Sequence, residues 1–342
     1  MGRLKNNLNL RLSVGAGFLI GKRNRLVDIY QEVLNANKRI KKYIRKTPLE
    51  FSPYLSKLCN ANVFLKLESE QLTGSFKIRG AFNKILACKK QLGNGFITAS
   101  TGNHGKAVGY VSRLLNMQGT VFVPETVAKT KLEAIKYYGM NIEKYDGDSG
   151  DVEIHARKIS IERKIPFISP YNDLHIVAGQ GTLGLEIFNE LPDVHVVFSC
   201  IGGGGLVSGV AGYLKNKNKT IKIVGCEPKN SCEMFASIKA KKQITVDHKP
   251  TLSDGSAGGV EPESITYPLC QQYVDEYSQV SELEIKKSMF LMIDKHRKII
   301  EGAAAVPLAG FIKNKKKFSN KNVVVILSGA GVGVETIKKV MN

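Results

Sequence analysis

One lysine, Lys77, stands in the run Gly-Ser-Phe-Lys-Ile-Arg-Gly over residues 74–80 and is predicted to open a helix capped by Ser75. A cation in the first turn of a helix is opposed by the helix dipole, which lowers the free-energy cost of holding its amine neutral. A neutral lysine amine is a nucleophile toward carbonyl compounds. The apolar neighbours Phe76 and Ile78 indicate that the amine is drawn inward. The pattern therefore predicts a chemically active lysine, with an ordinary surface lysine as the alternative.

Four consecutive glycines, Gly202, Gly203, Gly204 and Gly205, follow a continuous apolar run and precede an apolar helical pattern over residues 206–214. Glycines allow successive backbone N–H groups to converge on an anion, and the start of a helix adds partial positive charge. The run predicts a phosphate-binding loop, with a ligand-free tight turn as the alternative. The dinucleotide spacing GxGxxG is absent here, because Val207 and Ser208 occupy the third glycine position in the two possible registers.

A second loop, Ser-Thr-Gly-Asn-His-Gly over residues 100–105, ends another predicted strand and precedes a helical pattern over 106–115. Hydroxyl, amide and backbone N–H groups gathered at a helix start suit a carboxylate, although an Asn-containing turn has the same composition. Ser328 ends a further apolar strand and offers a hydroxyl at the same carboxyl edge of a parallel sheet. Its alternative is a helix N-cap.

Short β-branched or aromatic runs alternate with amphipathic segments along the chain, which predicts an α/β protein with a largely parallel sheet. The last three predicted strands are continuous apolar runs, as expected for strands buried on both faces. The block between residues 96 and 166 repeats the strand-helix rhythm and is predicted to form a smaller inserted unit. The predicted strands cover residues 63–68, 95–100, 119–124, 141–146, 194–201, 221–227 and 322–327.

Composition excludes several classes of protein. The six cysteines have no CxxC spacing, the six histidines include no HExxH motif, and no apolar run is long enough to span a membrane. These features predict reduced thiols and a cytoplasmic protein without a membrane partner. Residues 1–27 carry six basic residues and no acid, which is also the pattern of an organelle presequence, so a mitochondrial location is the minor alternative.

The formal net charge of +20 raises the alternative of a nucleic-acid-binding protein. The lysines lie in asparagine-interleaved runs such as residues 215–219 and 313–317, without aromatic residues that could stack on bases. We therefore expect lysine-rich solvated faces and no nucleic-acid partner, with a basic nucleic-acid-binding protein on an enzyme scaffold as the remaining alternative.

Together, these motifs resemble in order and spacing the fold type II pyridoxal-phosphate enzymes, in the branch that contains threonine/serine dehydratases and serine racemases. The resemblance implies a tryptophan synthase β-like α/β fold with two open, mostly parallel twisted sheets flanked by helices, and a homodimer or homotetramer. It also implies a large cofactor-binding domain (21–93 and 170–342) and a small mobile domain (94–169), while the basic residues near the start of the chain predict a basic N-terminal extension (1–20). The matching segments are residues 47–49, 73–81, 100–105, 178–182, 202–205 and 327–329.

The resemblance also implies roles for individual residues. Lys77 would carry pyridoxal 5'-phosphate as a Schiff base and remove the substrate α-proton. The cofactor phosphate would bind the glycine loop and Leu206, its ring would lie beside Phe76, and Ser328 would meet the ring nitrogen. The ring hydroxyl would meet Asn103. The residues expected to meet the substrate carboxylate are Ser100, Thr101, Asn103 and His104.

The implied reaction is β-elimination of L-threonine, L-serine or another small hydroxy amino acid to a 2-oxo acid and ammonia. Racemisation of serine in the same site is the alternative, because serine racemases have a reprotonating serine at the position of Thr101, which keeps the hydroxyl. Ala257 and Gly258 stand where those racemases have Lys-Ser, and this favours the dehydratase.

The resemblance further implies a divalent-cation site at Glu227, Ser231 and Glu233, where two carboxylates flank a loop carbonyl. Hard oxygen ligands of this kind suit magnesium or calcium. Glu233 replaces the aspartate that is more usual in the family. Two solvated loop acids are the alternative.

Overall fold

The computed structural model describes residues 28–93, 95–100, 102–127, 129–147 and 149–342. Within these residues, nine strands form two separate sheets that are flanked by thirteen α-helices. No helix in the described ranges is both long and apolar enough to cross a membrane. The predicted basic extension at residues 1–20 and the predicted catalytic residue Thr101 lie outside the described residues.

The strands are β1 (Leu49–Phe51), β2 (Asn62–Leu67), β3 (Phe96–Ala99), β4 (Gly119–Pro124), β5 (Asn141–Tyr145), β6 (Val196–Cys200), β7 (Lys222–Pro228), β8 (Glu276–Val280) and β9 (Asn322–Leu327). The helices are α1 (Ile29–Ile40), α2 (Pro53–Cys59), α3 (Lys77–Ala87), α4 (Asn103–Leu114), α5 (Lys129–Tyr137), α6 (Ser149–Glu162), α7 (Leu174–Glu190), α8 (Gly205–Lys217), α9 (Glu233–Ala240), α10 (Thr266–Tyr273), α11 (Glu282–His296), α12 (Gly302–Asn314) and α13 (Val334–Met341).

The larger sheet has the strand order β1-β2-β9-β6-β7-β8. All its neighbouring strands are parallel except β1, which pairs antiparallel with β2. β6 is buried along its whole length and β9 along all but its first residue, because helices cover both faces of the sheet. The predicted α/β class with mostly parallel sheets is confirmed.

All seven predicted strands form, and two further strands, β1 and β8, were not predicted. β1 has only three residues, none of them buried. β8 has the sequence Glu-Tyr-Ser-Gln-Val, in which only Ser278 and Val280 are buried. Both lie at edges of the sheet, where one side of the strand is unpaired and a weak apolar pattern suffices.

The smaller sheet consists of β3, β4 and β5, all parallel. Helix α6 packs over it, and Val152 and Ala156 of α6 join Ile97 and Phe122 of the sheet in one apolar cluster. A single bridge between Ile97 and Phe167 continues the sheet into the returning chain. This unit lies within the predicted small domain, whose boundaries at residues 94 and 169 remain a prediction.

A fully buried arginine ties α3 to the large sheet. The Arg79 guanidinium donates to the Glu68 carboxylate at 2.7 and 2.8 Å and to the Glu186 carboxylate at 2.7 and 3.0 Å. Lys66, equally buried, approaches Glu186 at 2.8 Å from β2. Burial alone would lower the pKa of Arg79, but the two carboxylates hold it above its ordinary value. This ion network fixes the helix on which Lys77 stands.

Candidate active site

Lys77 is the first residue of α3, as predicted. Its Nζ donates to the carbonyl oxygen of Pro170 at 2.9 Å and lies 5.2 Å from the centre of the Phe76 ring. Burial lowers the pKa of Lys77 to about 8, although the Glu153 and Glu301 carboxylates oppose this shift. The amine therefore reaches its neutral, nucleophilic form near physiological pH, where an ordinary lysine does not.

The predicted cap of α3 is wrong. The residue that precedes the helix is Phe76, and no side chain caps it. The Ser75 hydroxyl is buried and has no hydrogen-bond partner among the described residues. Instead, the backbone holds this turn: Ser75 forms an isolated bridge with Gly329, and the Phe76 N–H donates to the Ser328 carbonyl at 3.1 Å. Pairing with the end of β9 replaces a local cap.

The glycine loop follows β6 and leads directly into α8, which begins at Gly205. Gly204 has a φ of +83°, a left-handed conformation that favours glycine. A Cβ on Gly203 would lie 2.4 Å from the ring of Tyr171, and a Cβ on Gly202 would lie 2.8 Å from the Ser256 carbonyl oxygen. The loop therefore requires glycine both for its conformation and for its close packing.

Ser328 follows β9 directly and is 2 % exposed. Because β9 neighbours both β2 and β6, the ends of these strands place Ser328 between the start of α3 and the glycine loop. The predicted hydroxyl at the carboxyl edge of the sheet is in this position.

The second predicted loop lies at the end of β3. The Ser100 hydroxyl accepts a hydrogen bond from the Gly102 N–H at 3.2 Å, and Asn103 is the first residue of α4. His104 is buried, with Nε2 3.3 Å from the Ile168 carbonyl oxygen, and its Nδ1 has no partner in the described part of the chain. Burial, together with the positive charge of Lys77, lowers the pKa of His104 to about 3. The imidazole is therefore neutral, and it retains one nitrogen for a ligand.

Asn103 is held by a buried carboxylate that the sequence reading missed. Its Nδ2 donates to both oxygens of Glu301 at 2.9 and 2.8 Å, and the Gly331 N–H donates to the same carboxylate at 2.9 Å. Burial raises the pKa of Glu301, and the Asn103 amide opposes the shift. Cβ atoms at Gly329 and Gly331 would lie 2.6 and 2.8 Å from the Glu301 oxygens. The glycine-rich tail after β9 therefore makes room for this carboxylate.

The predicted cofactor and substrate residues that the structure describes line one cavity of about 270 Å³. It opens between the glycine loop, the start of α3 and the loop after β3. Its lining also contains Glu153 and Glu301, whose role no sequence motif indicated. In the sequence, the one sign of Glu301 is that it is an acidic residue directly before the Ala-rich start of α12. The predicted residues in the lining are Phe76, Lys77, Ser100, Asn103, His104, Gly202, Gly203, Gly204, Gly205, Leu206 and Ser328.

The predicted cation ligands lie apart from this chemistry and already have partners. Glu227 and Glu233 are 2 % and 4 % exposed, so they are not solvated acids. The Glu227 carboxylate accepts from two backbone N–H groups at the start of α9, at 3.2 and 2.8 Å. Burial raises the pKa of Glu227 to about 8, although these N–H groups oppose the shift.

A histidine joins the other two predicted cation ligands. His248 lies between Ser231 and Glu233, with Nδ1 2.8 Å from the Ser231 hydroxyl and Nε2 3.2 Å from the Glu233 carboxylate. The Val260 N–H donates to the other Glu233 oxygen at 2.5 Å. In the ranges that the structure describes, no group of three His, Cys, Asp or Glu side chains is arranged to hold a metal. The predicted set contains only two carboxylates beside a hydroxyl and a loop carbonyl, so this finding does not test it, and the cation site remains a prediction.

The cavity does fit pyridoxal phosphate. The glycine loop lies at the start of α8, where backbone N–H groups and the helix dipole favour an anion. A side chain on any of its first three residues would collide with Tyr171, with Ser256 or with the wall formed by Met234, Thr266 and Cys270, so the loop keeps its backbone free of side chains. Lys77 supplies an amine of lowered pKa in the same cavity. The Nδ1 of His104 has no hydrogen-bond partner among the described residues and can bind a polar group of a ligand.

Comparison with known proteins identifies the same cofactor chemistry. The chain matches the family model described as pyridoxal-phosphate dependent enzyme over residues 40–329. It is 35% identical over 315 residues to an L-threonine ammonia-lyase of Thermotoga maritima, covering 91% of this chain and 78% of the relative. It is 37% identical over 317 residues to the catabolic L-threonine dehydratase of Staphylococcus aureus, covering 91% of both chains.

Solved structures give the same result. Maize serine racemase superposes with a TM-score of 0.85 at 29% identity, covering 91% of this chain and 96% of that one. The processed form of threonine deaminase isoform 2 from Solanum lycopersicum superposes with a TM-score of 0.86 at 30% identity, covering 91% and 92% of the two chains. With its glycine loop, its lysine and these similarities, the chain belongs to the pyridoxal-phosphate-dependent enzyme family, with fold type II.

Proposed function

We propose that this enzyme is an ammonia-lyase that converts L-threonine, L-serine or both to the 2-oxo acid and ammonia. The observation that carries the proposal is the placement of the Lys77 amine, the glycine loop and the loop after β3 around one cavity. The relatives named as threonine ammonia-lyase and threonine dehydratase extend over nine tenths of the chain and support the same reaction.

The described side chains can be assigned to the cofactor by their positions. Lys77 would hold the aldehyde carbon of the cofactor. The glycine loop and the Leu206 N–H would bind the cofactor phosphate, and Ser328 would contact the ring nitrogen. Phe76 would lie beside the ring, and Asn103 would donate to the ring hydroxyl while Glu301 fixes the orientation of its amide. When bound, pyridoxal phosphate supplies an electron sink for negative charge that develops at the substrate α-carbon.

The remaining steps fall to the chain itself. The N–H groups at the start of α4, the Ser100 hydroxyl and the neutral His104 ring bind the substrate carboxylate, so the α-carbon is presented to Lys77. Because the pKa of Lys77 lies near 8, its amine can accept the α-proton and later release it at neutral pH. Elimination of the β-hydroxyl followed by hydrolysis yields the 2-oxo acid and ammonia.

The test is a comparison of two lysine variants. Lys77→Ala should lose the visible absorbance of the lysine-bound cofactor and lower 2-oxo acid release by about 10⁴-fold, the upper end of the range for a positioned proton-transfer group. Lys90→Ala, at an exposed lysine just beyond α3, should keep both properties. Full turnover of threonine and serine by Lys77→Ala would contradict the proposal.

Racemisation is the second candidate, because maize serine racemase shares the fold and Thr101 retains a hydroxyl. Chiral chromatography of L-serine after incubation separates the two reactions. D-serine that accumulates faster than pyruvate would make racemisation the main activity.

We further propose a cytoplasmic homodimer or homotetramer without a nucleic-acid partner, in which the unit at residues 94–169 moves relative to the rest. Size-exclusion chromatography with light scattering measures the assembly. Salt-dependent DNA binding by the cofactor-loaded enzyme would contradict the expected lack of a nucleic-acid partner.

A further inference from the structure

A second acidic side chain, Glu153 of α6, lines the cavity that contains Lys77. Its side chain is 17% exposed, and it lines the same cavity of about 270 Å³ as Lys77. Glu153 therefore lies near the amine that handles the substrate α-proton. The assignments made for the cofactor and for the substrate carboxylate leave it without a role.

Glu153 forms a carboxyl pair with Glu261, which lies in the loop before α10. The Arg157 guanidinium contacts both carboxyl groups, and burial, followed by the influence of Glu261, raises the pKa of Glu153 to about 8. Two carboxyl groups that contact the same guanidinium lie close together, and a like-charged neighbour favours the protonated form of Glu153. Glu153 can therefore supply a proton within the cavity that contains Lys77.

The donors around the pair lie closer to Glu261 than to Glu153. Arg157 donates to one Glu261 oxygen at 2.6 Å, and Asn172 donates to the other at 2.8 Å. The contact from Arg157 to Glu153 is longer, at 3.3 Å. The Glu153 carboxylate is therefore less well stabilised by donors, so Glu153 is the better proton donor of the two.

The other buried acid of the cavity is differently placed. Both oxygens of Glu301 accept hydrogen bonds from the Asn103 amide, and one also accepts from the Gly331 N–H. Those donors stabilise the carboxylate and leave it to orient Asn103. Glu153 is therefore better placed than Glu301 to give up a proton.

We propose that Glu153, positioned by Glu261 and Arg157, is the general acid that protonates the β-hydroxyl as it leaves the substrate. The inference rests on the proposed ammonia-lyase function. The α-proton passes to Lys77, and the electron pair of the C–H bond forms the α,β double bond. The C–O bond breaks with its electron pair on oxygen, which takes the Glu153 proton and leaves as water. Solvent returns a proton to Glu153 and receives the proton from Lys77.

The leaving group provides the test. L-serine and β-chloro-L-alanine give the same products, pyruvate and ammonia, but chloride leaves without a proton. Glu153→Gln should lower serine turnover by about 10²-fold or more, the usual contribution of a general acid, while β-chloro-L-alanine turnover stays within a few-fold. The ratio of the two rates is the readout, because it is independent of the fraction of protein that is folded.

Two further measurements sharpen the experiment. In D₂O, serine recovered from Glu153→Gln should gain deuterium at the α-carbon, because proton removal continues while elimination is blocked. Glu261→Gln should also lower the ratio, because Glu153 then loses the carboxylate that favours its protonated form. Glu162→Gln, on the same helix but 53% exposed, is the matched control and should leave the ratio unchanged.

An unchanged serine to β-chloro-L-alanine ratio in both Glu153→Gln and Glu261→Gln would overturn the inference. Wild-type enzyme that eliminates neither substrate would instead overturn the proposed function. The two failures are therefore distinguishable in one set of assays.

Discussion

Lys77 and Arg79 are cations two residues apart in the first turn of α3, and their surroundings are opposite. Arg79 is fully buried and makes four short hydrogen bonds to the carboxylates of Glu68 and Glu186. Lys77 donates to a neutral carbonyl, and no carboxylate of the described residues lies within ion-pair distance of its amine. One is a permanently charged structural group and the other an amine that readily loses its proton.

The contrast shows how one helix turn can serve both stability and chemistry. Burying a charge is unfavourable unless it is paired. For Arg79 the pairing is complete, so the charge stays. Lys77 has no carboxylate of the described residues within ion-pair distance, so burial lowers the pKa of its amine to about 8. The structural cation holds the helix in place, and the unpaired amine on the same turn becomes reactive.

The largest effect on stability is expected at the structural cation. Arg79→Met should lower the free energy of unfolding by about 3–5 kcal/mol, because it leaves the buried Glu68 carboxylate without its cationic partner and Glu186 with Lys66 alone. Lys77→Met should change it by less than about 1 kcal/mol. Urea unfolding of the cofactor-free proteins measures both values. Equal losses in the two variants would show that the distinction between them is wrong.

A smaller effect is expected when one carboxylate of the network is neutralised. Burial alone would raise the pKa of Glu186, but Arg79 and Lys66 hold it below the ordinary value of 4.5. The stability that Glu186 contributes is therefore present above about pH 4.5 and lost as the pH falls below it. Glu186→Gln should lower the free energy of unfolding by about 1–3 kcal/mol at neutral pH.

Urea unfolding of wild type and Glu186→Gln across the acidic range checks this prediction. The difference between the two proteins should shrink as the pH falls through the pKa of the Glu186 carboxyl. A difference that stays constant down to the acid unfolding transition would mean that the ion pairs contribute nothing measurable.

The smallest effect concerns the protonation of Lys77 itself. In cofactor-free enzyme, the neutral fraction of the amine should rise about tenfold per pH unit up to the pKa near 8 and then level off. Competitive trace acetylation, read by peptide mass spectrometry, reports this titration for each lysine separately. A Lys77 midpoint near the ordinary lysine value of 10.5 would remove the proposed difference between Lys77 and a surface amine.

The sequence by itself determined seven of the nine strands in the described residues and the motifs attached to them. Seven strands and the loops at 202–205 and 100–105 depend on local patterns of apolar residues and glycine, and such patterns are short-range. The resemblance of these motifs to the fold type II enzymes predicted cofactor roles for Lys77, Asn103 and Ser328, and all three line one cavity. The cap of α3 failed for the complementary reason, because pairing with β9 decided that turn.

Only the tertiary structure decided which acids enter the site. Asn103 meets Glu301 across 198 residues, and Arg157 meets Glu261 across 104. Neither glutamate belongs to a motif, and a solvated surface acid has the same local sequence. Long-range packing brings these carboxylates out of water and next to donors, so burial and neighbours set their charge. The lowered pKa of Lys77 and the carboxyl pair at Glu153 follow from the same packing, because electrostatics depends on distance in space rather than on spacing along the chain.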